Sequence, residues 1–298
     1  MRNSRFRQVG IYTKKNFRLF INEKGWKTFI FAAIISLAVS FVLSSEMFQY
    51  NMATWQGFIT LISACIWIGI FNSIQSICKQ RGIIKREHRT GLHMSSFVFS
   101  HLIYQAVICL VEALLLLLIS MIFLKYPHQS LIGSIHAEYF ITYFLTIYAA
   151  DVLALAISSI VKSPTTAMTI MPFLLIFELL FSGALFQLDG PAGYLSYLTT
   201  CRYGLNAACI SADYNDLEDT EKARIGNYMY SAVQENNLPV SREQIDQLLD
   251  ENYETEEVKD YRYTTGNLLL QWFFLLLHTG ITAAVSIVAL EFIDKDKR

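Results

Sequence analysis

Six apolar stretches dominate the hydrophobic pattern of this chain, at about residues 28–45, 54–77, 100–124, 139–161, 167–186 and 266–292. A bilayer core of roughly 30 Å takes about 20 mostly apolar residues as helix. Lipid supplies no partners for backbone polar groups, so each segment must close its own hydrogen bonds. The pattern predicts an all-α integral membrane protein with six transmembrane helices.

The polar intervals are equally patterned. Phe6, Val9, Phe17 and Phe20 recur at helical spacing, with Arg5, Lys15, Arg18 and Lys24 elsewhere on the turn. That predicts an amphipathic helix on the inner leaflet, aromatics in the interface and cations toward anionic lipid, which can also touch a cytoplasmic partner. Residues 162–166 form a short turn in which Pro164 cannot continue a helix. The turn predicts that the fourth and fifth spans pack as an antiparallel hairpin. Residues 187–211 remain apolar enough for a re-entrant or interfacial element, and the chain from Ala212 to Asp260 turns acidic and helical. There Ser241 and Gln244 fit a capping box after Pro239, followed by an apolar stripe of Ile245, Leu248 and Leu249. The chain therefore divides into a connecting helix (1–27), five spans (28–186) with a basic segment at 78–93, a re-entrant element and acidic cap (187–264), and a last span with a short tail (265–298).

Charge adds an orientation. Of the 24 Lys and Arg, eight precede Thr28, five lie in 78–93, one in 161–166 and three at the C-terminus, whereas the short loops 46–53 and 125–138 hold only Lys125. The positive-inside rule then puts both termini in the cytoplasm, in a multi-pass protein of the cell membrane. Residues 187–264 face outward and carry 15 acids against six basic residues. Of the five cysteines, only Cys201 and Cys209 would face an oxidising side. Eight residues apart on a helix they stand too far apart to bridge, so free thiols are expected.

The sequence contains no G-x-x-x-x-G-K-[ST], H-E-x-x-H, G-x-S-x-G or paired C-x-x-C. No catalytic residue, metal site or cofactor is expected in the chain itself, and no nucleic-acid partner. His88 and His93 lack a third ligand. Four ionisable residues fall inside spans: Glu112, Asp151, Glu178 and His278. Such groups are costly in lipid, and they act either as helix–helix glue or as the lining of a path. The three acids also leave open a proton-coupled carrier, and the acidic cap a sensor or scaffold that transports nothing.

The basic segment reads Gln80-Arg81-Gly82 through Arg86-Glu87-His88-Arg89-Thr90-Gly91. Its order resembles the coupling segment of ABC-2 type permeases, above all the G-subfamily of ABC exporters. There a Glu-Arg pair is followed by Arg-Glu, a small residue and the next span. Arg86-Glu87 and Gly91 match, while Gln80 stands where the first acid belongs. Phe181-Ser182-Gly183, the run 188–191 and residues 195–207 are similar to the element that follows the fifth span in the same permeases. The resemblance implies a type V fold, with a second permease as homodimer or heterodimer and nucleotide-binding domains that hold ATP and Mg. It implies coupling through Arg81, Arg86, Glu87 and Arg89. It further implies a translocation path between second and fifth spans, at Phe58, Thr60, Ser63, Met171, Phe173 and Phe177.

Overall fold

The computed structural model describes residues 4–293 apart from 44–45, 187, 189, 237–239 and 254–256. Pro239, and Asp189 within 188–191, lie outside the described residues. Helix α1 (Arg5–Asn22) begins under the Ser4 side chain, which accepts from the Arg7 N–H at 3.4 Å. It ends where Lys24 takes a left-handed φ of 56°. Helix α2 (Lys27–Val42) then departs at 72°.

The inner packing centres on α3 (Asn51–Ser73), α5 (Met94–Phe123), α6 (Ile135–Ile160) and α11 (Thr265–Glu291). Helices in lipid associate through close packing and polar contacts, because lipid is as apolar as the side chains. Both devices are visible here. Gly69 of α3 leaves no room for a Cβ beside the Ile147 carbonyl and the Asp151 N–H of α6. Phe58 stacks on Tyr139 at 5.6 Å, and Trp272 Nε1 donates to Thr142 Oγ1 at 3.0 Å, joining α11 to α6. After α3 the chain makes a 3₁₀ turn (Cys78–Gln80) and the short α4 (Arg81–Arg89). Ile77, Ile84, Phe97, Leu155 and Leu290 close that end of the bundle as a separate apolar cluster.

Among the described residues, four helical segments are long and apolar enough to cross a membrane: Asn51–Arg89, Met94–Phe123, Ile135–Ile160 and Thr265–Glu291. The pair α1 and α2 passes as one bent unit, while α7 (Pro164–Leu180) is apolar but shorter. The protein is thus an all-helical membrane protein, with four to five segments of spanning length among the described residues. The fifth apolar stretch was expected to stay helical to 186. It stops earlier because the Ser182 hydroxyl donates to the Leu179 carbonyl and accepts from the Ala184 N–H, and Gly183 follows at φ 80°. The tight turn before α7 holds, with Ser163 capping the Thr166 N–H at 3.1 Å and Pro164 at the first helical position. The close hairpin does not: α7 touches α6 lightly, and Phe173 is 69% exposed.

After α7 come a 3₁₀ stretch (Gly190–Leu198) and α8 (Thr200–Ser211), which is buried among α3, α6 and α11. Gly204 sits where a Cβ would fall 2.6 Å from Thr146 Oγ1. Cys201 and Cys209 are therefore inside the bundle and not on an oxidising surface. All five cysteines are buried. Beyond α8, Asp213 adopts φ 52°, and burial beside Asp216 pushes its carboxyl up from the usual range.

Helices α9 (Thr220–Glu235) and α10 (Arg242–Asn252) form the acidic element. The capping box at Ser241 and Gln244 is present, and Ile245 is buried, but Leu248 is exposed because only one flank of α10 meets α9. Leu249 lies against Gly226. Backbone bonds from Asn51 N–H to the Glu218 carbonyl (3.0 Å) and from Glu218 N–H to the Gln49 carbonyl (3.2 Å) tie this region to the start of α3.

Candidate functional site

The basic segment is held from three sides. Helix α1 docks along the first turns of α5. The docked face is partly polar, since Gln8 and Asn16 are buried while Phe6 is 91% exposed. The expected aromatic stripe is thus split: Phe17 packs on Tyr104 at 5.2 Å, and Phe6 points away. The Gln8 amide donates to the Gly91 carbonyl at 3.2 Å and accepts from the His93 N–H at 3.0 Å. Gly91 has φ 106°, open to glycine at no steric cost, so the turn that Gln8 grips depends on it. Lys15 donates to Glu87 at 3.1 Å, with the two side chains 34% and 30% exposed. Tyr12 stands edge-on to Phe97 at 5.9 Å.

Arg81 provides the third anchor. Its guanidinium donates to the carbonyls of Ser159 at 2.6 Å and Val161 at 3.1 Å, where α6 leaves its last acceptors unpaired. The Ser158 hydroxyl accepts from the N–H groups of Ile77 and Cys78 at 3.1 and 3.2 Å. The predicted set Arg81, Arg86, Glu87 and Arg89 therefore separates. Arg81 and Glu87 are turned into the chain, whereas Arg86 and Arg89 are on the exposed face of α4, Arg86 Nε meeting the Gly82 carbonyl at 3.3 Å. Ile83 is exposed on the same face. Sequence reasoning passed over Ile83; the signal was an apolar residue at i−3 from Arg86 beside the buried Ile84.

The four ionisable residues expected in spans each meet another element. Glu112 accepts from Asn72 Nδ2 at 2.7 Å, linking α5 to α3. Gln105 Nε2 donates to Asp151 Oδ1 at 3.2 Å and also to the Ser73 hydroxyl, joining α3, α5 and α6. Glu178 accepts from the Thr200 N–H (2.8 Å), the Thr200 hydroxyl (2.7 Å) and the Cys201 N–H (3.1 Å). It thereby caps the start of α8, where the helix dipole favours a negative charge. His278 Nε2 meets the Leu198 carbonyl at 3.1 Å.

The six residues expected along a path also separate. Phe58 and Met171 pack in the chain's own core. Thr60 and Ser63 are half-buried on α3, and their hydroxyls bond back to Gln56 and Ile59 in the same helix. Phe173 and Phe177 are on the more open side of α7, with Phe177 against Phe181 at 5.1 Å. Among the described residues no group of three or more His, Cys, Asp and Glu could hold a metal ion.

Comparison with known proteins gives two findings. The family described as ABC-2 type transporter matches residues 7–211. The chain is also 23% identical, over 225 residues, to an ABC transporter ATP-binding/permease protein of Mycobacterium tuberculosis. That match covers 70% of this chain and 26% of the relative, so the chain spans about a quarter of that protein's length.

Proposed function

This chain belongs to the ABC-2 type transporter family, and from that membership we propose that it is the permease of an ATP-driven exporter, paired with a second permease and driven through α4. As the transmembrane permease component it does not itself hydrolyse ATP, and permeases of this family work with ABC ATPase domains. In the proposed assembly those domains hold the ATP and Mg. The six spans are α2, α3, α5, α6, α7 with the residues after it, and α11. Both termini are cytoplasmic, which puts α4 on the ATPase side and α9 and α10 outside, in keeping with the excess of Lys and Arg in the inner loops.

The observation that carries the reading is the two-sided character of α4. One side is fixed to α1, α5 and α6 through Glu87, Ile84 and Arg81. The other presents Ile83, Arg86 and Arg89. A partner that moves against Ile83 and Arg86 moves three helices with it. The translocation path then narrows to the sides of α3 and α7 that the chain leaves open, at Thr60, Ser63, Phe173 and Phe177. Glu112, Asp151 and Glu178 are engaged by neighbouring helices, which supports a structural role and not a proton-carrying one.

The test is ATP-dependent export in proteoliposomes containing the chain and its ATPase. Arg86→Glu combined with Ile83→Asp is expected to abolish export while leaving the amount of inserted permease unchanged. Full export by that variant overturns the role given to α4.

A further inference from the structure

The first turns of α3 and α9 meet, and each helix is capped by the other. Tyr50, which precedes α3, makes no side-chain cap. The Met52 N–H donates to Asn51 Oδ1 at 2.6 Å and, across the joint, to Thr220 Oγ1 of α9 at 3.1 Å. In return the Thr220 N–H and hydroxyl donate to Asn51 Oδ1 of α3 at 3.2 and 2.9 Å. A helix start carries orphan N–H groups and a partial positive charge, so two starts brought together repel. Asp219 offsets this from between them. Its Oδ1 accepts from the Glu221 and Lys222 N–H groups at 2.9 and 3.0 Å, and its Oδ2 from Asn51 Nδ2 at 3.2 Å. One turn further along α3, Trp55 Nε1 donates to the Tyr261 hydroxyl at 3.3 Å, which fixes the chain returning from the acidic element.

The attachment is one-sided. Among the described residues no hydrogen bond or ion pair joins α9 or α10 to α7. A displacement of the acidic element is therefore passed to α3 and not to α7.

We propose that α9 and α10 move with the outer end of α3 as one body, a handle through which whatever grips the acidic element from outside sets the spacing of α3 and α7. This rests on the permease reading above, which puts the acidic element outside and the path between those two helices.

The joint is tested first without transport, by hydrogen exchange of the full chain in lipid nanodiscs. Thr220→Ala is expected to speed exchange at amides 51–55 of α3 about five- to tenfold, the factor that goes with one lost cap. Asn51→Ala is expected to do the same at amides 220–223 of α9. Ser241→Ala, which breaks the capping box of α10 alone, is expected to leave α3 unchanged. Effects confined to the mutated helix overturn the joint, whether or not the chain exports. Export with the ATPase in proteoliposomes then tests the handle. Asn51→Ala combined with Thr220→Ala is expected to lower export per ATP hydrolysed several-fold, and Ser241→Ala to leave it at the wild-type level. Tyr50→Cys with Glu218→Cys puts two thiols on residues that face each other in a backbone bridge. The native cysteines are buried, so a short bismethanethiosulfonate meets the introduced pair. Joining that pair is expected to leave export as in the unjoined variant, since one body has no motion there to block. Unaltered export in the alanine pair, or export abolished by the cross-link, overturns the proposal. No export by the wild-type chain overturns the permease reading instead, and the exchange result still decides the joint.

Discussion

The ammonium of Lys15 on α1 and the carboxylate of Glu87 on α4 stand 3.1 Å apart, an ion pair between two helices that the sequence separates by 72 residues. A pair this exposed is worth only about 0–1 kcal/mol to stability. Its expected effect is positional, since it ties α4 to α1. Glu87→Ala is therefore expected to leave expression and thermal stability nearly unchanged and to lower the export obtained per ATP hydrolysed. The exchange Lys15→Glu with Glu87→Lys is expected to recover part of the loss. Measuring ATP hydrolysis and flux together on the two singles and the exchange checks this; equal losses in the exchange and both singles would remove the pair from the coupling route.

Glu178 supplies one carboxylate oxygen to three donors at the head of α8. Glu178→Ala leaves all three buried without an acceptor, and a loss of about 2–4 kcal/mol is expected from the usual 1–3 kcal/mol for an unsatisfied buried group, raised for a charged partner. Glu178→Gln keeps an oxygen in place and is expected to lose about half as much. Thermal unfolding in detergent measures both. Flux against pH, with and without ATP, separates this structural role from a proton-carrying one. The Gln variant is expected to keep the wild-type pH profile, and so are Glu112→Gln and Asp151→Asn.

Gly69→Ala pushes a methyl group into the backbone of α6 at Ile147 and Asp151, which cannot give way as a side chain can. A destabilisation of about 1–3 kcal/mol or more is expected, as for other overpacked sites. Gly10 on α1 has nothing within 4 Å of an added Cβ. Gly10→Ala is expected to stabilise by about 0.5–1 kcal/mol through helix propensity alone. The two variants, compared by thermal unfolding, must differ in sign.

Asp213 combines a left-handed backbone with a carboxyl whose pKa burial raises. A carboxyl with a higher pKa in the folded chain than in the unfolded one costs stability above its folded pKa, and the cost disappears below the unfolded value of about 3.9. Asn tolerates the same backbone without the charge. Asp213→Asn is therefore expected to raise the melting temperature at neutral pH, with the gain shrinking as the pH falls toward 4 or so. A gain that grows on acidification would contradict the sign.

The long apolar helices were legible in the sequence because lipid demands length and hydrophobicity of each one separately. The limits of α7 were not, since Ser182 and Gly183 end it within a run that is still apolar. The capping box at Ser241 was readable from four consecutive residues. The docking of α1 was not: its buried face is made by Gln8 and Asn16, and the partners of Gln8, Gly91 and His93, lie more than 80 residues away. The same reason hid the split of the basic segment. Charge and order mark Arg81 and Arg86 alike, and only the end of α6 distinguishes the one that is already engaged.

The bend between α1 and α2 has a mechanical meaning. Phe20 fills the space beside Gly25 and stands edge-on to Phe29 at 5.7 Å, and the Thr28 hydroxyl closes onto the Gly25 carbonyl at 3.0 Å. The corner is thus stiff as well as sharp. Two rods joined stiffly at 72° work as a bell crank: a push along the first arrives at the second as sideways travel. Lengthening or softening this corner would leave both helices folded and turn the crank into a tether.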